Sequence, residues 1–208
     1  MKIDPEAVLW SAPERERAGR PLLVLLHGYG SHEGDLFGLS PRLPLGPVIA
    51  SVRAPLPESG GNAWFTLQNS PPGNPPKANV DAAATSVLEW LDTLEYTTVG
   101  LLGFSQGAAT ALQMLRFAPT RFAATAALSG FLAGGGHEGD AELETARPAV
   151  FYGRGTVDQI ITAEAVARTE DWLPRHTTAT ERIYEGLGHS VSEPMLDDVT
   201  AFLRANLP

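Results

Sequence analysis

Residues 98–118 read TVGLLGFSQGAATALQMLRFA, and this stretch constrains the fold more than any other. Val99, Gly100, Leu101 and Leu102 form an apolar run too short for a helix, the pattern of a strand buried on both faces. Ala108, Ala109, Ala111, Leu112, Met114 and Leu115 favour helix until Pro119 stops it. Between strand and helix lie Gly103, Phe104, Ser105, Gln106 and Gly107. A strand-to-helix turn this sharp strains the serine backbone and crowds its neighbours, which calls for glycine two residues to either side. The Ser105 hydroxyl then stands clear at the C-terminal edge of a sheet. The N–H of Gln106, at a helix N-terminus, is placed to receive negative charge. The bare pentapeptide also occurs in glycine-rich connections with a solvated serine, so the strand before it and the helix after it carry the assignment.

With 208 residues, 43% of them hydrophobic and 19% charged, the chain has the length and composition of one globular domain, residues 1–208, with a three-layer core. A net charge of −9 argues against nucleic acid or an anionic membrane as partner, since both need a basic footprint. The absence of cysteine excludes disulfides, thiolate metal sites and a cysteine nucleophile. Residues 1–20 are charged and carry no apolar run long enough for a signal peptide or a membrane span, so the expectation is a cytoplasmic enzyme without stable membrane insertion.

Strand and helix signals alternate along the rest of the chain. Residues 7–11 suit a short first strand, and 21–26 form a continuous apolar run, as expected of a central parallel strand. The run ends in HGYGSHEGDL, where glycines at 28, 30 and 34 let the backbone turn back and expose N–H groups. The loop after such a strand supplies the second oxyanion donor in an α/β hydrolase, which makes the Tyr29 N–H the candidate. The plain alternative is a glycine-rich lead into a helix over 35–43. His27 is better suited to fixing this loop by hydrogen bonding than to catalysis. Residues 48–52 read as a third strand, ended by Arg53, Ala54 and Pro55.

From 56 to 77 periodicity disappears, five prolines accumulate, and Trp64 and Phe65 stand in otherwise polar sequence. Two roles are open for this aromatic pair: covering the acyl side of a pocket, or pinning the loop to the body. Val80, Ala84, Val87, Leu88, Leu91 and Leu94 then make one apolar stripe of a helix over 79–95. Residues 122–128 are a buried strand, and 133–144 an exposed, acidic, glycine-rich loop in which His137 is solvated. Residues 148–152 are the next strand. Thr162 caps a helix running to about Leu173, 180–184 is the last strand, and Ser192 and Pro194 open a final helix. Such alternation predicts a mostly parallel sheet with helices on both faces, and ligands bind at the C-terminal ends of its strands. Ser105, Asp158, His189 and the Tyr29 loop all follow predicted strands directly.

A serine hydroxyl needs a base to take its proton as it attacks. Histidine suits that task at neutral pH, and an acid on its other ring nitrogen fixes the tautomer and stabilises the imidazolium. The order nucleophile, acid, base is met by Ser105, Asp158 and His189. His32 and His137 lack a preceding strand, and His176 follows a helix. Asp171 lies within a helix, Asp140 in the acidic loop, and Asp197 and Asp198 on the face of the last helix.

These residues support a name for the family. LLHGYGSHEGDL, the RAP at 53–55, the AWF at 63–65, GFSQGA, GTVDQII and GLGHSVS follow one another in the order seen in the phospholipase/carboxylesterase family of α/β hydrolases, which this chain resembles over nearly its whole length. The resemblance implies an α/β-hydrolase fold with little or no lid. It implies a serine esterase with Ser105, Asp158 and His189 as triad, and the Tyr29 and Gln106 amides as oxyanion hole. It further implies no cofactor and no metal. Substrates would be short-to-medium acyl esters, lysophospholipids or thioesters, and a homodimer is an option that several members take. A catalytically silent binding protein on the same fold is the remaining alternative. Two departures stand out: Arg154, where the family commonly has histidine, and the loops at 60–76 and after Leu132, which look particular to this chain and leave the substrate open.

Overall fold

The computed structural model describes residues 1–68, 70 and 73–207. Asn69, Pro71 and Pro72 of the proline-rich segment and the terminal Pro208 lie outside the described residues. The strands are β1 (Leu9–Trp10), β2 (Leu22–Leu26), β3 (Val48–Val52), β4 (Leu56–Glu58), β5 (Gly61–Ala63), β6 (Val99–Phe104), β7 (Phe122–Leu128), β8 (Ala149–Gly155) and β9 (Thr178–Tyr184). The helices are α1 (Glu33–Phe37), α2 (Lys77–Leu91), α3 (Gln106–Phe117), α4 (Asp140–Ala146), α5 (Ala163–His176) and α6 (Glu193–Asn206).

Seven strands form one sheet in the order β1-β3-β2-β6-β7-β8-β9. Only β1, at one edge, runs antiparallel to its neighbour. Every residue of β2 and β3 is buried, because both faces of the sheet are covered. The pleat divides the apolar run of β2 between two cores. Leu22, Val24 and Leu26 face the core to which α2, α3 and α5 contribute, and Leu23 and Leu25 the core to which α1 and α6 contribute. This is the three-layer, mostly parallel architecture expected of an α/β hydrolase.

Helices α5 and α6 start where cap side chains satisfy free N–H groups. The Thr162 hydroxyl accepts from Ala165 N–H, and that of Ser192 from Met195 N–H, each at 3.3 Å. Among the described residues, no helix is long and apolar enough to cross a membrane.

Several expectations are corrected. The helix expected over 35–43 is a shorter and earlier α1, because His32 Nδ1 accepts from the Gly34 N–H at 3.0 Å and opens the helix there. The proline-rich segment contains the hairpin β4–β5, whose turn holds Ser59 and Gly60 at φ +53° and +79°. α2 ends at Leu91 rather than 95, and Trp90 joins its buried face. The loop at 133–144 is not wholly exposed: Ala133 and Leu143 are buried, and α4 is folded onto the body through Asp140.

Candidate functional site

β6 ends in the turn that carries Ser105, at φ +54° and ψ −116°, a conformation L-residues rarely adopt. The flanking glycines are a matter of space. A Cβ on Gly103 would collide with the backbone of Gly107, and one on Gly107 would be driven into the carbonyl oxygen of Leu26. Helix α3 can therefore pass directly over the ends of β2 and β6 only without side chains at both positions. The turn is anchored by the Ser105 N–H, which donates to Leu128 O at 2.9 Å.

The structure brings the three sequence-predicted side chains together. His189 Nε2 lies 2.9 Å from Ser105 Oγ, and His189 Nδ1 lies 2.7 Å from Asp158 Oδ2. Asp158 Oδ1 accepts from the N–H groups of Ile160 at 2.8 Å and Ile161 at 3.2 Å, which fixes the carboxylate plane. The imidazole also packs against the Phe104 ring, with centroids 5.0 Å apart. A hydroxyl, an imidazole and a carboxylate in series can move one proton from oxygen to nitrogen and hold the resulting cation.

Gly28 and Tyr29 lie across from Ser105; a Cβ on Gly28 would sit 3.5 Å from the Ser105 Cβ. Among the described residues, the N–H groups of Tyr29 and Gln106 have no hydrogen-bond partner. A cavity of about 280 Å³ opens here. It is lined by Gly28, Tyr29, Leu67, Gly73, Phe104, Phe131, Ile160 and Ile161 together with Ser105, Gln106 and His189, and also by Ser31 and Asp35. Sequence reasoning missed Phe131, Ile160 and Ile161. The rule that found Ser105 applies to them as well, since each closely follows the C-terminal end of a strand. Leu67 and Gly73 come from the proline-rich segment, which offered no such signal.

Trp64 and Phe65, offered as cover for the acyl side, do not line this cavity. Both are buried, at 0% and 1% exposure, so pinning is the alternative observed. The Trp64 N–H donates to Gln106 Oε1 at 3.1 Å, and Gln106 Nε2 donates to Phe65 O at 2.7 Å. His27 likewise holds the loop: its Nδ1 lies 2.7 Å from Gly28 O, and its Nε2 accepts from the Ala54 N–H at 3.1 Å. Burial holds the His27 pKa below the usual imidazole value. The RAP segment supports the same loop, since Arg53 also pairs with Glu33 through two hydrogen bonds.

The rival groups are engaged elsewhere. His137 Nδ1 accepts from the Gly139 N–H at 3.1 Å, and His176 Nδ1 lies 2.8 Å from Trp172 O. Asp140 binds Arg116, Asp171 binds Arg175, Asp197 binds Arg42, and Asp198 accepts from the Tyr184 hydroxyl. Arg154, where the family's histidine would stand, pairs with Glu170 at 2.7 Å. Among the described residues, no group of three or more His, Cys, Asp or Glu side chains is placed to hold a metal ion.

The sequence profile described as Phospholipase/Carboxylesterase matches residues 12–207. Acyl-protein thioesterase 1 of Eremothecium gossypii is 28% identical over 232 residues, covering 93% of this chain and 91% of that protein. Esterase YpfH of Escherichia coli is 27% identical over 212 residues, covering 93% and 86%. Among solved structures, esterase PE8 superposes with a TM-score of 0.77 at 26% identity over the whole of both chains. The carboxylesterase of Bacillus cereus, at 18% identity, shares the fold with a TM-score of 0.80 over 96% of this chain and 94% of that one.

Proposed function

The chain belongs to the phospholipase/carboxylesterase family and is a carboxylic ester hydrolase, and from that premise we propose that it hydrolyses short-to-medium acyl esters of small molecules through Ser105, His189 and Asp158. The observation that carries this reading is the position of one imidazole, 2.9 Å from the Ser105 hydroxyl and 2.7 Å from the Asp158 carboxylate.

Ser105 Oγ attacks the ester carbonyl as His189 Nε2 takes its proton, and the carbonyl electron pair moves onto oxygen. The Tyr29 and Gln106 amides receive that oxyanion. Asp158 Oδ2 accepts from the Nδ1–H of the imidazolium and keeps the ring in register. The tetrahedral adduct collapses, the C–O bond to the alcohol breaks, and His189 returns the proton to the departing oxygen. Water then gives its proton to His189, attacks the acyl-serine carbonyl, and the acid leaves with Ser105 reprotonated. Donors already in place cost no reorganisation as charge develops; losing one such donor raises the barrier by about 2.7–4 kcal/mol in a serine protease.

The cavity of about 280 Å³ lies below the range of drug-sized pockets. Rates on p-nitrophenyl esters are expected to peak at short-to-medium acyl length and to fall for long chains. Ser105→Ala should fold and lose p-nitrophenyl butyrate turnover, and undiminished turnover would disprove the assignment. A second reading, the hydrolysis of thioesters at the same site, is favoured by the resemblance to acyl-protein thioesterase 1 of Eremothecium gossypii. Oxygen and sulfur esters of matched acyl length separate the two. A fluorophosphonate that fails to label Ser105 would favour a silent binding protein instead.

A further inference from the structure

We propose that His27, Trp64 and the Gln106 side chain form a positioning relay that sets the direction of the Tyr29 N–H, so that the two amides of the proposed oxyanion hole are held as one unit. The inference rests on the function proposed above and extends it to residues that touch no reacting atom.

It begins from a property of the peptide link. The Gly28 carbonyl and the Tyr29 N–H belong to the same peptide unit, which is trans, as are all peptide bonds described here, so they point in opposite directions. Whatever holds the carbonyl aims the N–H. The Gly28 oxygen is held by His27 Nδ1 at 2.7 Å and by the Ser31 N–H at 3.3 Å. The tautomer follows from the other ring nitrogen. The Ala54 N–H can only donate, and it meets His27 Nε2 at 3.1 Å, so Nε2 accepts and Nδ1 carries the proton. His27 thus donates to the Gly28 oxygen. Donation to a carbonyl also polarises the amide, which strengthens the N–H on its far side as a donor.

The ring is itself fixed from the other end of the residue. The Trp64 indole N–H donates to His27 O at 2.8 Å, and the two rings lie 5.6 Å apart, centroid to centroid. Trp64 is held in turn by Gln106: Oε1 accepts the Trp64 N–H, and Nε2 donates to Phe65 O. Gln106 therefore offers its backbone N–H to the cavity and clamps, with its side chain, the segment that orients the opposite donor. All three side chains are almost wholly buried, His27 and Trp64 at 0% exposure and Gln106 at 2%. Their polar atoms bond one another and the segments that meet behind the Tyr29 loop, at Gly28, Ala54 and Phe65.

The test uses three variants of the full chain and p-nitrophenyl butyrate, with a short alkyl trifluoromethyl ketone as mimic of the tetrahedral adduct. His27→Asn keeps a donor where Nδ1 stood and loses the acceptor for Ala54, whereas His27→Gln keeps an acceptor near Nε2 and loses the donor to Gly28. Trp64→Phe keeps the ring and removes only the indole N–H. An oxyanion contact acts in the transition state, so kcat should fall and KM should hold. The expected loss for His27→Gln and Trp64→Phe is about ten-fold or more in kcat, short of the 10²–10³ that follows outright removal of a donor. The ketone should weaken by the same factor, and His27→Asn should recover most of both. Equal kcat in the two His27 variants, or a loss confined to KM or to thermal stability, would overturn the relay. Should the His27 variants fail to fold, unchanged kcat and ketone affinity in Trp64→Phe would overturn it alone. If instead Ser105→Ala remains active, the proposed function fails and the relay with it.

Discussion

Asp158 offers His189 only one of its two oxygens: Oδ2 faces Nδ1 at 2.7 Å, while Oδ1 is taken by the N–H groups of Ile160 and Ile161. That division makes Asp158→Asn an informative change. The two backbone donors would keep the amide oxygen on their side and turn the NH₂ toward His189. Nδ1 would then have to accept, and the ring proton would move to Nε2, facing the hydroxyl it is meant to deprotonate. We expect the fold to hold, with Tm close to the parent. Turnover of p-nitrophenyl butyrate should fall by about four orders of magnitude, as in the serine-protease template. A loss under ten-fold would move the acid role elsewhere.

Gly107 makes the closest backbone approach at the site. A Cβ there would enter the carbonyl oxygen of Leu26 and crowd that of His27, so Gly107→Ala forces α3 away from β2. Overpacking costs typically about 1–3 kcal/mol, and here the obstacle is backbone, which cannot rotate aside. The expected outcome is a loss at or beyond the top of that range in denaturant melts, together with loss of activity. Gly46, whose added Cβ meets nothing within 4 Å, is the control, and its alanine variant should melt like the parent.

The sheet was legible because parallel strands buried on both faces leave runs such as 22–26 and 122–128, and the site because Ser105, Asp158 and His189 each come soon after a strand, although β9, ahead of His189, is a largely exposed edge strand. The parts that escaped leave no such mark. β4 and β5 have three residues each, with a turn defined by φ at Ser59 and Gly60 rather than by an apolar pattern. Asp140 reads as an acid of an exposed loop, and its partner Arg116 lies 24 residues away in α3. Their pairing, which draws α4 onto the body, is a long-range contact that no local window contains. Trp64 and Phe65 were visible as aromatics, but whether they faced a cavity or the core depended on Gln106, 42 positions beyond Trp64.

The Arg116–Asp140 ion pair sets an acid limit on stability. Arg116 is 1% exposed, and Asp140 accepts from its Nε at 2.8 Å and Nη2 at 2.6 Å, from Trp172 Nε1 at 3.1 Å and from the His137 N–H at 2.9 Å. Burial alone would raise the Asp140 pKa, but these donors outweigh it and bring it from 3.8 to about 2. A folded-state pKa below the unfolded one gives stability that is complete above pH 3.8 and is lost as pH falls toward 2. Asp140→Ala leaves the guanidinium buried without its counter-charge, at a cost of about 3–5 kcal/mol. For a chain of this length that is roughly 6–20 °C in Tm. Melts of parent and variant across pH 2–5 check both points. The gap should be widest at the upper end and narrow toward the lower, and a constant gap would contradict the ion pair as its source.

Ser105 stores backbone strain at φ +54° and ψ −116°, and two substitutions separate that strain from the loss of its hydroxyl. Ser105→Ala and Ser105→Gly both delete the hydrogen bond to His189, so that term cancels between them. Alanine keeps the Cβ and with it the strain, of order 1–3 kcal/mol at such positions. Glycine relieves the strain but gives back about 0.4–1 kcal/mol through the greater freedom of its unfolded chain. The difference favours glycine by about 1 kcal/mol, or roughly 2–4 °C in Tm for a chain of this length. Matched thermal melts of the two variants decide it. An alanine variant as stable as the glycine one would mean that the strain at Ser105 is no larger than the roughly 0.4–1 kcal/mol that glycine gives back.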